Sequence, residues 1–578
     1  MKKIQLLLLC CCWAVLSFGQ ETFPRNDVQD TRMGAYAFTN ATIVVDENQS
    51  IPKGTLLIKE GKIQSVGANV TIPQGYTTVD LTGKFIYPSL IDLQTHYGMP
   101  EVKRPSGNRF RGPEQINSKK KGAYNSNEAI KSEFKSSEHF TIDKKMAKEM
   151  RNLGFGTVLT YRPDGFARGT GAVVTLAEST ENKVMLNNLA SAHYSFNKGS
   201  SGQSYPVSRM GHIALLKQTY LDAEWFSKQR TRPFTDQSLE AFIDCQKLPQ
   251  FFEAGNWLDV LRADKLGDEV NVQYIISSQT DAYQRVKDIK ASGATLIVPV
   301  NFPDAHDVED PFDAERVSYK DMLHWELAPT NTAVLAKNGV PFALTADGLK
   351  KKSSFLTNVR KAIENGLTEK AALKALTTTP ANLLGLSNQI GSLRNGHLAN
   401  FLITNGKLFD KKTVIHENWI QGQPYRMSPL STKDFGGNYT LTIDGKTYQM
   451  EVSGAAKSPK AKIIVNDSTD ISVKSTFSDE LISLSFPPEK GGKEKIRLSG
   501  WTSDSGWKGQ GQLVDGSWVN WSATPSEASK KSEDKKDGKK GGKKGEKAAL
   551  GKVMYPFRAF GVTEMPEQKN YLIKNATV

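Results

Sequence analysis

Short apolar runs that end in a polar side chain alternate with helical patterns through the middle of the chain. The clearest run covers residues 340–346 and stops at Asp347. A continuous apolar run of this length predicts a strand buried on both faces, as in a parallel sheet. Residues 272–276 and 295–300 have the same character, and a helical pattern at 281–291 separates them. This alternation predicts an α/β fold with parallel strands.

The positions after Asp347 predict a series of helices. Residues 353–365 have apolar side chains at helical spacing and close at a glycine, and Thr368 is suited to cap a second helix. Residues 379–385 begin with Thr-Pro and end with Gly, which is typical of a short third helix. Residues 88–395 together have the length of a (β/α)8 barrel. In such a barrel, Asp347 would lie at the C-terminal edge of the strands, where functional side chains are found.

A different pattern begins near residue 431. Between residues 439 and 511, apolar and polar side chains alternate in short runs at about ten-residue spacing, which predicts an antiparallel sandwich or barrel at residues 431–525. The domain contains four tryptophans: Trp501, Trp507, Trp518 and Trp521. They either fill its core or form a face on which sugars stack, and the core interpretation is favoured because aromatic residues of small β domains usually lie inside.

The ends of the 578-residue chain differ in composition from its middle. Residues 1–19 combine a basic start, an apolar stretch too short to span a bilayer and a small-x-small cleavage site, which predicts export to the periplasm or beyond and no transmembrane segment in the mature chain. The formal net charge of +14 is concentrated in part in the Lys/Gly-rich stretch at 526–550. That stretch predicts a disordered linker, and the charge left elsewhere gives no argument for a nucleic-acid partner.

Two separated blocks carry a family resemblance. Residues 85–96 read FIYPSLIDLQTH, and the C-terminal block reads "TADG … GLTEKAALKALTTTPANLLGL … IGSLRNGHLANFLI". In this order they resemble the amidohydrolase superfamily, most closely the imidazolonepropionase-like amidohydrolases. The resemblance implies a TIM-like (β/α)8 barrel at residues 88–395. It also implies a small composite β-sandwich domain made of residues 34–87 and 396–425.

The resemblance further implies a metal site. Amidohydrolases of this type hold one or two divalent metals, which lower the pKa of a bound water so that hydroxide attacks a carbonyl carbon. Carried onto this chain, the metal ligands are His96 and Asp347, with His193 and His306 as possible additional ligands. Asp347 is also the implied catalytic base, and zinc is the metal expected first. The first histidine of the family's His-x-His pair is Gln94 here, so the implied site is degenerate.

The last residues bear on function. Residues 571–578 repeat the pattern of residues 36–43, and we therefore expect residue 551 onward to begin a second amidohydrolase copy in a longer tandem protein.

Two functions remain open. The gene product is a metal-dependent hydrolase of carbon–nitrogen bonds in small amide, cyclic amide or peptide-like substrates. Alternatively, this copy is a non-catalytic module that supports an active partner copy. The two functions differ in whether enough metal ligands converge on Asp347 to hold a metal ion.

Overall fold

The computed structural model describes residues 34–103, 114–428, 435–454, 459–466, 469–478, 481–503, 506–526 and 550–565, with 567, 569, 570, 572, 574 and 575. The predicted signal segment at 1–19 lies outside the described residues, and so does all but the two ends of the predicted linker at 526–550. In the part of the chain that the structure describes, no helix is both long enough and apolar enough to cross a membrane.

Strands from two distant parts of the chain form one eight-stranded sheet. The N-terminal part supplies β1 (Tyr36–Val44), β2 (Ser50–Lys59), β3 (Lys62–Gly67), β4 (Thr77–Asp80) and β5 (Phe85–Pro88). The later part supplies β14 (Phe401–Thr404), β15 (Ile415–Ile420) and β16 (Gln423–Arg426). The two parts join where β5 pairs antiparallel with β14 and parallel with β1. The predicted composite is therefore present as a single sheet, while its arrangement as a sandwich stays a prediction.

A second eight-stranded sheet forms the barrel. Its strands are β6 (Leu90–Thr95), β7 (Phe155–Thr160), β8 (Ala167–Thr175), β9 (Met185–Ser195), β10 (Gln250–Glu253), β11 (Ile275–Ser277), β12 (Thr295–Pro299) and β13 (Phe342–Thr345). They are ordered from β6 to β13 along the chain. The end strands β6 and β13 lie side by side, and the carboxylate of Asp92 on β6 accepts hydrogen bonds from Thr345 and Ala346.

One barrel strand departs from the predicted parallel alternation. Strand β8 is antiparallel to both β7 and β9. Residues 161–166 and 176–184 connect it to its neighbours, and both connections are shorter than the dozen or so residues of a parallel crossover. As a result, the N-terminal end of β8 lies at the same edge of the sheet as the C-terminal ends of the other strands.

Helices cover the outside of the barrel. They are α1 (Ser136–His139), α2 (Lys144–Asn152), α3 (Glu181–Val184), α4 (Arg209–Ser227), α5 (Gln237–Cys245), α6 (Trp257–Glu269), α7 (Val286–Ser292), α8 (Pro311–Arg316), α9 (Tyr319–Leu327), α10 (Asn331–Lys337), α11 (Phe355–Glu364), α12 (Glu369–Leu376) and α13 (Thr378–Leu383). The cap predicted at Thr368 is confirmed, because its side chain accepts a hydrogen bond from the backbone N–H of Ala371.

The C-terminal β domain is a closed antiparallel barrel of eight strands. They are β17 (Gly437–Ile443), β18 (Lys446–Ser453), β19 (Lys460–Asn466), β20 (Thr469–Ser478), β21 (Leu481–Phe486), β22 (Ile496–Ser503), β23 (Gly506–Gln512) and β24 (Trp518–Pro525). The predicted all-β domain is confirmed. Trp507 and Trp521 lie in its core, whereas Trp501 and Trp518 lie on its surface, so the core interpretation holds for two of the four tryptophans.

Residues 550–565 lie against the outside of the first barrel. The backbone N–H of Gly551 donates to the Glu326 carboxylate on α9, with 3.1 Å between N and Oε2. Val553 and Phe557 pack on an apolar cluster of Tyr283, Leu323 and Leu327. That these residues begin a second amidohydrolase copy stays a prediction.

Candidate functional site

The C-terminal edge of the barrel strands brings several polar side chains together. Gln94 lies at the end of β6, and Asp347 lies just after β13. The Gln94 side-chain amide donates a hydrogen bond to Asp347, with 3.1 Å between Nε2 and Oδ2. The backbone N–H of Asp347 donates to the hydroxyl of Thr345. Asp347, the carboxylate predicted to bind a metal, is therefore hydrogen-bonded to Gln94. Gln94 stands where the resemblance implies the first histidine of the His-x-His pair.

A second carboxylate, Asp92, lies beneath this pair and was not foreseen. Asp92 is fully buried and accepts hydrogen bonds from Thr345 Oγ1 at 2.6 Å, Ala346 N at 2.9 Å and Gln94 N at 3.0 Å. Burial raises the pKa of Asp92 to about 6, although these hydrogen bonds oppose the rise. Its contacts hold β6 against β13, so its role is to fix the ends of the two strands that carry Gln94 and Asp347.

His96 and His193 both contact the ring of Tyr161. The Tyr161 and His193 rings are stacked with centroids 3.7 Å apart, and the His96 ring meets the Tyr161 ring edge-on at 5.3 Å. His193 Nε2 lies 2.7 Å from the hydroxyl of Ser191, and His96 Nδ1 lies 3.2 Å from the carbonyl oxygen of Tyr161. Burial lowers the pKa of His193 well below its usual value, so this imidazole stays neutral at physiological pH.

An arginine occupies the mouth of the barrel beside these side chains. Arg168, at the N-terminal end of the reversed strand β8, is nearly fully buried and forms an ion pair with Glu253 at the end of β10, with 2.6 Å between Nη1 and Oε2. Its Nε donates to the carbonyl oxygen of Gly165. Burial opposes the charge of Arg168, but the Glu253 carboxylate outweighs burial and raises the pKa of the guanidinium.

The space between these side chains is almost filled. A cavity of about 10 Å³ is lined by Gln94, Tyr161, Arg168, His193 and Glu253 among others. A volume of about 10–15 Å³ holds one water molecule, so this cavity between the described side chains is no larger than a single water. A wider groove of about 350 Å³ lies at the ends of β10 to β13 and is lined by Asp281, Asn301 and Lys350 among others.

The implied metal ligands are not gathered into one cluster among the described residues. A catalytic zinc site needs about three protein ligands. Among the described residues, no group of three or more His, Cys, Asp or Glu side chains could hold a metal ion. His193 is hydrogen-bonded to Ser191, and Asp347 is hydrogen-bonded to Gln94. The permanent positive charge of Arg168 also repels a metal cation nearby. His306 lies in the segment after β12, where its Nε2 has no hydrogen-bond partner.

Sequence reasoning missed Arg168, Glu253 and Tyr161. Glu253 had a usable signal, because it follows the short apolar run Phe251-Phe252 just as Asp347 follows residues 340–346. Arg168 had none, because the reversal of β8 places it at the mouth, and a strand's direction is not visible in its own sequence pattern. The fold alone brings these groups together.

Comparisons with known proteins agree with this architecture. Residues 327–458 match the model of the amidohydrolase family. A crystal structure of an amidohydrolase from Thermotoga maritima MSB8 aligns with a TM-score of 0.53 and 24% sequence identity, covering 68% of this chain and all of that one. This likeness shows a shared fold, a TIM-like barrel with its accompanying sheet.

More distant alignments are also found. A β-aspartyl dipeptidase from Fervidobacterium islandicum AW-1 aligns with a TM-score of 0.39 and 15% identity, covering 68% of this chain and 96% of that one. A Xaa-Pro dipeptidase with bound methionine aligns with a TM-score of 0.40 and 15% identity, covering 68% and 100% of the two chains. The family match and the Thermotoga structure together support the resemblance to the amidohydrolase superfamily.

Proposed function

We propose that this chain is an exported protein of the amidohydrolase type whose barrel at residues 88–395 does not bind a catalytic metal. In this proposal the barrel is a non-catalytic module. Hydrolysis of carbon–nitrogen bonds in small amide or peptide-like substrates belongs to a second copy of the same gene product. The match of residues 327–458 to the amidohydrolase family supports the reaction class.

The arrangement around Asp347 carries the proposal. The Gln94 amide already donates to this carboxylate, and the Arg168–Glu253 ion pair supplies the mouth with a fixed cation and its counter-ion. Two cations a few Å apart in a buried site repel each other by several kcal/mol. A metal at Asp347 would therefore have to displace the hydrogen bond from Gln94 and bind against the charge of Arg168.

A second candidate has one observation in its favour. His96 and His193 lie against Tyr161, and the charge of Asp347 acts on the same tyrosine. If Gln94 and Arg168 moved away, these three implied ligands could approach one another. The barrel would then itself be the metal-dependent hydrolase.

Metal content separates the two candidates. We expect elemental mass spectrometry of the purified chain to find no stoichiometric zinc, manganese or iron, and thermal unfolding to be unchanged by a chelator or by added zinc. The variants Asp347→Asn and Asp244→Asn provide the comparison, because Asp244 is exposed and paired with Lys247 away from the candidate site. One equivalent of metal that is lost in Asp347→Asn and kept in Asp244→Asn would overturn the proposal.

An activity measurement complements the metal analysis. The chain alone is expected to release no product from a panel of dipeptides and cyclic amides, with or without added divalent metal. Turnover that is abolished by Asp347→Asn but not by Asp244→Asn would favour the second candidate.

A further inference from the structure

The outer face of strands β21 to β24 on the C-terminal barrel has an unusual surface. Side chains on each strand alternate between the core and the outside. On β22 and β24 the outward positions include Trp501 and Trp518, which are 60% and 73% exposed. Large apolar side chains on a soluble surface often mark a binding site when they belong to an organised patch. This face does not depend on the amidohydrolase site or on its proposed function.

The strand register shows how the two tryptophans are arranged. Trp501 on β22 pairs with Lys508 on β23, which pairs with Ser522 on β24. Trp518 on β24 pairs with Gln512, which pairs with Arg497 on β22. The tryptophans thus occupy opposite corners of the face. They are separated by four residues along the strands and by two strand spacings, about 16 Å along the curved surface of the closed barrel from ideal strand spacings.

The middle row of the face, between the two tryptophan corners, is polar and uncharged. Ser499, Gln510 and Asn520 form the middle row, in register with one another and all pointing outward. Hydroxyl and amide groups both donate and accept hydrogen bonds. The two indole faces therefore flank a row of groups that can bond to hydroxyls in either direction.

The inside of the barrel supports this middle row. Trp521 points into the core, and its Nε1 donates to the carbonyl oxygens of Ser499 and Gln510 at 3.0 and 3.2 Å. Its ring fills the space beside Gly500, where an added Cβ would lie 2.7 Å from Trp521 Cζ2. The core thus holds the backbone of the polar row in place.

The charged groups on the face have one sign. Arg497 and Lys508 are its two cations, and the outward positions of the described strands β21 to β24 include no aspartate or glutamate. The strand positions of the face therefore favour a negatively charged ligand. The Asp515 carboxylate lies at the edge of the face, in the turn before Trp518, and accepts hydrogen bonds from Ser517.

We propose that this face binds an anionic oligosaccharide, of the uronic acid class. The apolar C–H face of one sugar ring would stack on Trp501 and that of another on Trp518, because indole rings present a large apolar and electron-rich surface. The middle row would bond to sugar hydroxyls, and Arg497 and Lys508 would pair with the carboxylates. The 16 Å separation means that the ligand is several rings long.

A single-stranded nucleic acid is the main competitor, because it also combines stacking rings with negative charge. Such ligands carry one phosphate per nucleotide, and binding grooves follow them with a series of cations. The face offers two cations and a central row of hydroxyl and amide groups, which matches a ligand with many hydroxyls and few charges. The glycan is therefore favoured.

Titration calorimetry of the full chain with a hexuronate oligosaccharide tests the proposal. A neutral glucose hexamer and an oligo-dT strand serve as comparison ligands. We expect the hexuronate to bind, the neutral hexamer to bind more weakly, and each of Trp501→Ala and Trp518→Ala to weaken hexuronate binding at least about tenfold, as loss of a stacking aromatic does. Arg497→Gln should weaken the hexuronate and leave the neutral hexamer unaffected.

Two controls make the result decisive. Trp225→Ala removes a tryptophan that is 49% exposed on α4 and should leave binding unchanged. Near-ultraviolet circular dichroism verifies that the variants remain folded. Absence of hexuronate binding, equal binding by the tryptophan variants, or tighter binding of oligo-dT would each overturn the proposal.

Discussion

Gln94 and Asp347 are joined by a hydrogen bond of 3.1 Å across the ends of the first and last barrel strands. The carboxylate that the family resemblance assigns to a metal is thereby paired with a neutral amide. Two cations lie at the same edge of the barrel: Arg168, held by Glu253, and Lys352, whose ammonium donates to the carbonyl oxygen of Ala346. The mouth of the barrel thus contains both carboxylates and cations that balance one another.

Restoring a ligand is expected to create a metal site only if the fixed cation is removed as well. Gln94→His places an imidazole beside Asp347 and near His96, but Arg168 still repels a metal. We therefore expect Gln94→His with Arg168→Met to bind zinc at least about tenfold more tightly than Gln94→His alone, a difference of ~1.4 kcal/mol. Competition with a fluorescent zinc chelator measures this difference.

The control for that pair removes an arginine elsewhere. Arg232 is exposed and paired with Glu240, so Gln94→His with Arg232→Met should bind zinc no better than Gln94→His. If the two double variants bound zinc equally, the guanidinium of Arg168 would have no part in excluding a metal.

Removing the counter-ion of Arg168 should destabilise the barrel. Glu253→Gln leaves a buried guanidinium without its carboxylate, and we expect a loss of about 2–3 kcal/mol in the free energy of unfolding, because Glu253 itself is partly exposed. Replacing both partners, in Arg168→Met with Glu253→Leu, should cost less than Glu253→Gln alone. Urea denaturation measures both values.

An exposed ion pair provides the reference value for this change in the free energy of unfolding. Asp244 and Lys247 lie 3.0 Å apart and are mostly exposed, so Asp244→Asn should change the free energy of unfolding by no more than about 0.5 kcal/mol. A Glu253→Gln variant as stable as Asp244→Asn would show that the buried guanidinium does not need its partner.

Asp92 should make stability fall as the pH rises from about 4 to 6. Its folded-state pKa of about 6 lies above the ordinary value of 3.8, so in this window the folded chain keeps a proton that the unfolded chain has lost. The loss should be about 1.4 kcal/mol per pH unit. The difference in unfolding free energy between wild type and Asp92→Asn should follow this slope and flatten above pH 6.

Other carboxyls require a comparison variant, because burial also raises the pKa of Asp281 to about 6. Asp281 caps α6 by accepting from the backbone N–H of Trp257. The Asp281→Asn variant should keep the slope due to Asp92. A pH-independent difference between wild type and Asp92→Asn would mean that Asp92 is ionised throughout the window.

The sequence pattern was sufficient for much of the fold because long apolar runs and alternating runs depend on local spacing. Thr368 as a helix cap and the antiparallel C-terminal barrel both follow from such spacing. Strand β8 was different, because its direction depends on the short connections before and after it. The pattern of small and apolar side chains in β8 is compatible with either direction.

The candidate site was harder to predict from the sequence, because it too depends on how distant strands are placed. The sequence pointed to Asp347 as a site residue and to Gln94 as the residue in place of an implied histidine, because both lie at strand ends in recognisable motif blocks. The pairing of Arg168 with Glu253 joins residues that are 85 positions apart and requires the reversal of β8. Likewise, the hydrogen bonds of Asp92 to Thr345 and Ala346 depend on β6 and β13 lying side by side, which the sequence of β6 alone does not show.

The segment at residues 550–565 should be held to the barrel chiefly by Phe557. Its ring lies 6.1 Å from that of Tyr283 and packs on the same cluster as Leu323. Phe557→Ala removes apolar contact worth about 1–2 kcal/mol, so we expect hydrogen exchange at the Tyr555 and Val562 amides, which bond to each other's carbonyl oxygens, to rise about tenfold. Phe560→Ala is the matched control, since Phe560 is 98% exposed. Equal exchange in the two variants would mean that Phe557 does not anchor the segment, which would leave the packing of Val553 and the hydrogen bond from Gly551 to Glu326 as its attachments.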